Sequence, residues 1–186
     1  MTKYTGYVSL DTSSYNAWKN EVLSNEYDCD NNHSSSSWDL ASEFWYNVGF
    51  PQGYPVMNNR LDYTIWDNRV ENAGDKFDII TDKTEIKQGD IIVFNTWLGS
   101  ETGHIGFATM DYTGNTNINI LSQANGAIYT NIDYYSLTYF LGAFRYKAWH
   151  ETPPTPPEPP VPEPTKKPRF KWALYADKLR RKRNGL

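Results

Sequence analysis

Nine of the eleven prolines of this 186-residue chain fall between residues 153 and 168, in the run PPTPPEPPVPEPTKKP. Proline fixes its own φ, disfavours helix in the residue before it and donates no backbone hydrogen bond. The run can therefore enter neither a helix nor the interior of a sheet. It reads as a stiff polyproline II spacer. Anything with a packed core must lie before it. This predicts one folded domain over residues 1–150, a proline-rich linker over 151–168 and a separate tail over 169–186. A domain of that length can bury a sizeable core.

The tail contains RFKWALYADKLRRKR, with Phe170, Ala173, Leu174 and Leu179 at roughly helical spacing, and predicts a short basic helix. Residues 166–186 hold nine Lys/Arg against the single acid Asp177, a net of +8; the whole chain is −4, so the rest carries −12. An acidic body with a basic tail predicts two roles, or a tail that meets an anionic partner. The basic run is too short to make nucleic acid the expected partner. No apolar run is long enough to span a bilayer. The opening MTKYTGYVSL lacks the apolar stretch of a secretory signal. The expectation is a protein made in a cytoplasm, reaching any outside target only after release. Cys29 is the one cysteine, so no internal disulfide can form.

Within 1–150 the helical patterns come first. Tyr15, Trp18, Val22 and Leu23 repeat with helical spacing after Asp11–Thr12, a candidate cap. Leu40, Ala41, Phe44, Tyr46 and Val48 predict a second helix, ended by Gly49-Phe50-Pro51. From residue 90 the texture becomes that of short strands: 90–94, 104–109, 118–122, 127–130 and 139–146, separated by turn signals such as Thr113-Gly114-Asn115. Helices followed by an antiparallel meander predict an α+β fold.

Between the two helical patterns lies Asp28-Cys29-Asp30-Asn31-Asn32-His33, followed by Ser34, Ser35, Ser36 and Ser37. Counted from Asp28, oxygen-bearing side chains fall at the first, third, fifth, seventh and twelfth positions: Asp28, Asp30, Asn32, Ser34 and Asp39. That is the ligand spacing of a calcium loop of EF-hand type. A hard cation takes six to eight oxygens, which a tight loop supplies from alternate side chains and a carbonyl. The usual glycine at the sixth position is His33 here, and Asp39 is shorter than the usual glutamate. The alternative is that Asp28 and Asp30 make local Asx turns.

Several pieces, in order, resemble a CHAP domain, the cysteine/histidine-dependent amidohydrolase and peptidase family of phage lysins and bacterial wall hydrolases. Asp28-x-Asp30, a nucleophile position at Ser37 and then x-Asp39-Leu40-Ala41 look like its calcium loop and nucleophile helix. Gln88-Gly89-Asp90-Ile91-Ile92-Val93-Phe94 looks like its strand-opening stretch. Gly103-His104-Ile105-Gly106 looks like the strand of its catalytic histidine, and Ile120-Leu121-Ser122-Gln123 like the strand of its third catalytic residue. The resemblance covers roughly residues 10–147. It implies a papain-like α+β fold with N-terminal helices packed on a C-terminal antiparallel sheet, Ca2+ as cofactor and bacterial peptidoglycan as substrate. It also implies that Ser37 and His104 form the nucleophile–base pair, with Ser122 and the neighbouring Gln123 behind the histidine. Asn125, Trp38 and Trp97 are candidates to meet substrate.

The departures bear on chemistry. The family's cysteine is Ser37 here, the preceding glutamine is Ser36, and the third residue falls at Ser122. A cysteine beside a histidine reacts as thiolate with imidazolium. A serine needs a well-oriented base with an acid behind it. Two functions compete. One is a peptidoglycan amidase or endopeptidase of phage-lysin type, weakened or inactive as written, acting at the wall after release or from the virion. The other is a non-catalytic wall-binding or virion tail module, with the basic tail as a contact to phage tail proteins.

Overall fold

The computed structural model describes residues 1–31, 36–97, 100–123, 129–150 and 172–183, with the backbone alone at 172–177. The chain divides into two units, Met1–Glu151 and Thr152–Leu186. In the second, the described part is one helix, α5 (Trp172–Arg183); the linker at 151–168 lies outside the described residues. Among the described residues no helix is long and apolar enough to cross a membrane.

The first unit is α+β. In chain order it runs β1 (Lys3–Thr5), α1 (Tyr15–Val22), β2 (Glu26–Asp28), α2 (Ser37–Asn47), a 3₁₀ turn (Asp62–Ile65), α3 (Arg69–Ala73), β3 (Phe77–Ile80), β4 (Ile91–Phe94), β5 (His104–Ala108), β6 (Asn117–Ser122), β7 (Asn131–Ser136), β8 (Phe140–Tyr146) and α4 (Lys147–His150). Six strands form one antiparallel sheet in the order β3-β8-β4-β5-β6-β7. The last strand therefore inserts between β3 and β4. A separate two-stranded parallel ladder joins β1 to β2. The strand expected at 127–130 is not the one that pairs with β6. That partner is β7, a few residues later, and residues 124–128 lie outside the described set.

α1 buries Tyr15, Trp18 and Val22, while Leu23 has left the helix and is 38 % exposed. Its cap is Ser14, whose hydroxyl accepts from Ala17 N at 3.1 Å, and not the expected Asp11–Thr12. Asp11 instead accepts from Ser13 N at 2.8 Å, a local Asx turn that delivers the chain to Ser14. α2 buries every residue from Ser37 to Trp45. One side of it meets the sheet, and the N-terminal segment lies over another: Val8 N donates to Glu43 at 2.8 Å and Leu10 N to Asn47 at 2.7 Å. Gly49, at φ 95°, ends it in a left-handed turn.

β4 shows why the sheet is a central layer. Ile91 and Val93 join the main core with Trp18, Leu40, Phe44 and Phe107; Ile92 and Phe94 join a second core with Ile80, Ile118, Ile120 and Ala143. Alternate residues point to opposite faces, and both faces of this strand are covered.

Candidate active site

The N-terminus of α2 is set by a capping box. The Ser36 hydroxyl faces Asp39 N, and the Asp39 carboxylate accepts from Ser36 N at 2.7 Å. Ser37 is thus the first residue of a fixed helix, and it is 3 % exposed. Its hydroxyl donates to the carboxylate of Asp62, on the 3₁₀ turn. Burial raises the Asp62 carboxyl to about 6, the Ser37 hydrogen bond opposing. Asp62 lies in no motif and at no telling spacing, so nothing in the sequence singled it out.

The turn that carries Asp62 is tied to the start of β5. Tyr63 N donates to Thr102 O at 3.2 Å. Gly103, at φ +76°, makes this approach possible, because a Cβ there would lie 2.6 Å from Phe94 O and 2.9 Å from Tyr63 Cβ. His104 follows at once and is buried, which lowers its pKa to about 3 and keeps the imidazole neutral. Its Nε2 is 3.0 Å from the Ser122 hydroxyl. The ring of Tyr135 stacks on the imidazole at 4.5 Å and 6°. Among the described residues Nδ1 has no hydrogen-bond partner.

The expected pair is therefore not hydrogen-bonded. Among the described residues no hydrogen bond joins Ser37 to His104; Ser37 is held by Asp62 and His104 by Ser122. The physical reason is the buried Asp62 carboxylate, a stronger acceptor for the serine proton than a neutral imidazole. Gln123 also differs from its expected role behind the histidine. Its amide accepts from Tyr27 N at 2.8 Å and donates to Tyr27 O at 2.6 Å and Ser36 O at 3.2 Å. It ties β6 to β2 and to the cap of α2. Trp38 is in the core at 7 % exposure, its indole N–H donating to Pro55 O at 2.8 Å, so its ring offers no surface to a substrate. Trp97 is half-buried and lies edge-on to His104 at 6.4 Å. Asn125 lies outside the described residues. Tyr135 was missed because the strand was expected too early; the alternation over Asn131–Ser136 is the signal that could have found it.

Three of the proposed metal ligands converge. Carboxylate oxygens of Asp28, Asp30 and Asp39 lie within 4.8 Å of one another, the first and last buried and Asp30 exposed. Asn32 and Ser34 lie outside the described residues. The donor set is all oxygen and anionic, which suits calcium. Two features compete for these carboxylates. Lys3 reaches Glu26 at 2.7 Å and Asp28 at 3.5 Å. Asp39 already accepts from Cys29 N, Ser36 N and the Ser36 hydroxyl. Cys29 is buried: burial first, then Glu43, pushes its thiol pKa up, which disfavours the thiolate, and its sulfur lies 3.1 Å from Asp39 O and 3.2 Å from Glu43 Oε2.

No protein-family model matches the sequence, and no curated protein matches it. Solved structures do resemble it. One is the endolysin LysIME-EF1, with a TM-score of 0.58 at 17 % identity, over 72 % of this chain and 64 % of that one. Two structures of Ly7917 align less closely. One has a TM-score of 0.40 at 18 % identity; the other, with the hydrolyzing product of MDP, has 0.41 at 17 %. Each covers 60 % of this chain and 53 % of the other. The likeness to LysIME-EF1 is one of fold, and the chain spans about two thirds of that protein's length.

Proposed function

We propose that residues 1–151 are a wall-acting domain of phage-lysin type that addresses an amide of bacterial peptidoglycan, and that Ser37 leaves it weak or inactive as a hydrolase. The observation that carries this reading is the held imidazole. A neutral His104 has Nε2 held by Ser122 and, among the described residues, no hydrogen bond at Nδ1, on a strand against which α2 packs. In amide hydrolysis the residue-37 nucleophile would attack the carbonyl carbon while Nδ1 takes its proton and passes it to the leaving amine. Water would then release the carboxylate from the enzyme. Calcium, held by Asp28, Asp30 and Asp39, would neutralise the loop and brace the start of α2. The basic tail would tether the domain to an anionic wall or to phage tail proteins, and the protein would act after release or from the virion.

Ser37→Cys supplies a nucleophile that needs only the histidine. Asp62 opposes it, because a carboxylate beside a thiol disfavours the thiolate. Turbidity loss of purified cell walls in calcium is expected to be near background for the chain as it stands. It is expected to rise with Ser37→Cys, to rise further, by about a hundredfold over the starting protein, with Ser37→Cys/Asp62→Asn, and to vanish on adding His104→Ala. If the double variant stays inert on walls of different cross-bridge types, the hydrolase reading fails. One observation favours the second reading, a wall-binding or virion module without catalysis: both Ser37 and His104 are hydrogen-bonded, but to other residues. Wall pull-down without lysis by every variant is its expected result.

A further inference from the structure

Beside His104 the structure forms an uncharged cleft of about 270 Å3, lined by Phe94, Trp97, Tyr134, Tyr135, Ser136 and Tyr139. We propose that this cleft is a subsite for one N-acetylhexosamine ring of a glycan strand. The proposal rests on the reading of His104 as part of a wall-acting site, and it names which part of the polymer lies against it.

Charge points to the class of ligand. The body of the chain is acidic, with a net of −12 outside residues 166–186, and among the described residues no lysine or arginine lines this cleft. A phosphate polymer would find no counter-charge there; a neutral sugar needs none. The walls point the same way. Trp97 lies 5.7 Å from Tyr139 at 37° and 5.9 Å from Tyr135 at 79°, so a floor and a side wall meet at an angle. Tyr139 is 38 % exposed and Tyr134 65 %. A pyranose has apolar C–H faces and a rim of hydroxyls. Aromatic faces take the first, and tyrosine and serine hydroxyls at the edge take the second. The cleft is smaller than the roughly 300–1,000 Å3 of drug-sized pockets, which suits one ring rather than an extended peptide.

Continuity links it to the site. Tyr135 is at once a wall of the cleft and the ring stacked on His104 at 4.5 Å. A sugar held there sits one aromatic ring away from the imidazole.

The test is binding, which needs no catalysis. The full chain is titrated with the uncharged tetramer of N-acetylglucosamine, and separately with a sugar-free stem peptide, followed by tryptophan fluorescence and indole N–H shifts. The tetramer is expected to bind and to shift the Trp97 indole; Trp97→Ala and Tyr139→Ala are each expected to weaken binding about tenfold. Should Trp97→Ala fail to fold, Tyr139→Ala decides. No tetramer binding up to its solubility limit overturns the subsite. So does tetramer binding unchanged in the variants, and so does stem-peptide binding that these variants abolish. Sugar binding by a chain whose Ser37→Cys/Asp62→Asn form is inert on walls keeps the subsite and removes the hydrolase reading. Wall lysis without tetramer binding does the reverse.

Discussion

Asp62 decides what Ser37 can do. Its carboxyl is buried, and burial carries its pKa from 3.8 to about 6 against the opposing Ser37 hydrogen bond. The folded-state value lies above the unfolded one, so the contribution to stability is fully present below about pH 3.8 and is lost as pH rises through about 6. Asp62→Asn keeps an acceptor for the serine and removes the charge. It is expected to raise stability at pH 7 by about 1–3 kcal/mol, and to leave it little changed near pH 4, where the wild-type carboxyl is protonated. Urea melts at the two pH values check this; equal effects at both would show that charge is not the cause. Gly103 is the other decisive residue, since its missing Cβ lets Phe94 O and Tyr63 close on the chain just before His104. Gly114 has a similar φ, +87°, but nothing within 4 Å of the position of a Cβ. Gly114→Ala is expected to cost about 1 kcal/mol, the backbone strain alone, and Gly103→Ala about 3 kcal/mol or more, strain plus clash. Matching losses in thermal melts would mean that the close approach at Gly103 is not real.

At the scale of the element, α2 and the loop before it share one carboxylate. Asp39 closes the capping box of the helix and stands within the Asp28–Asp30–Asp39 cluster, so helix start and acidic cluster are mechanically one unit. Burial raises the pKa of Asp39, with Asp30 adding to the rise. A divalent cation would offset both effects. Calcium is expected to raise the melting temperature, by the equivalent of about 2.7 kcal/mol at a hundredfold excess over its dissociation constant. Asp30 is the informative position because it is exposed while its two partners are buried. Asp30→Asn is expected to remove most of the calcium-dependent shift, measured as the difference between the melts in calcium and in chelator. A melt insensitive to calcium in the wild-type chain would leave the cluster as a cap with Lys3 as its counter-charge.

Across the whole molecule, charge and contacts divide the chain in the same place. The first unit ends at Glu151, and residues 166–186 beyond it carry +8. α5 ends in Arg180, Arg181, Lys182 and Arg183, cations at the negative end of a helix dipole. The described side chains of α5, from Lys178 to Arg183, are exposed. Removing 152–186 is expected to leave the melting temperature of the first unit within error of the full chain. Attachment to an anionic wall is expected to fall, and the attachment of the intact chain to weaken as salt rises. A cooperative loss of fold on truncation, or salt-independent attachment, would contradict a separate electrostatic tether.

Much of this was legible in the sequence. The proline run could enter no core. The helical repeat of Tyr15, Trp18 and Val22 marked α1, and the apolar texture at 90–94 marked a strand, whose burial on both faces only the packed sheet revealed. These are local properties of the chain: period, turn chemistry and the conformational limits of proline act over a few residues. Spacing also brought out the three aspartates, and the resemblance to CHAP domains brought out Ser37 and His104. Ser122 beside His104 was expected from the resemblance; the other partners were not legible. Ser37 meets Asp62, Tyr135 stacks on His104, and Gln123 reaches back 96 residues to Tyr27. The insertion of β8 between β3 and β4, and the parallel pairing of β1 with β2, were equally hidden. Such contacts follow from which apolar faces bury one another across the chain, and only the packed fold brings Asp62 within reach of the Ser37 proton.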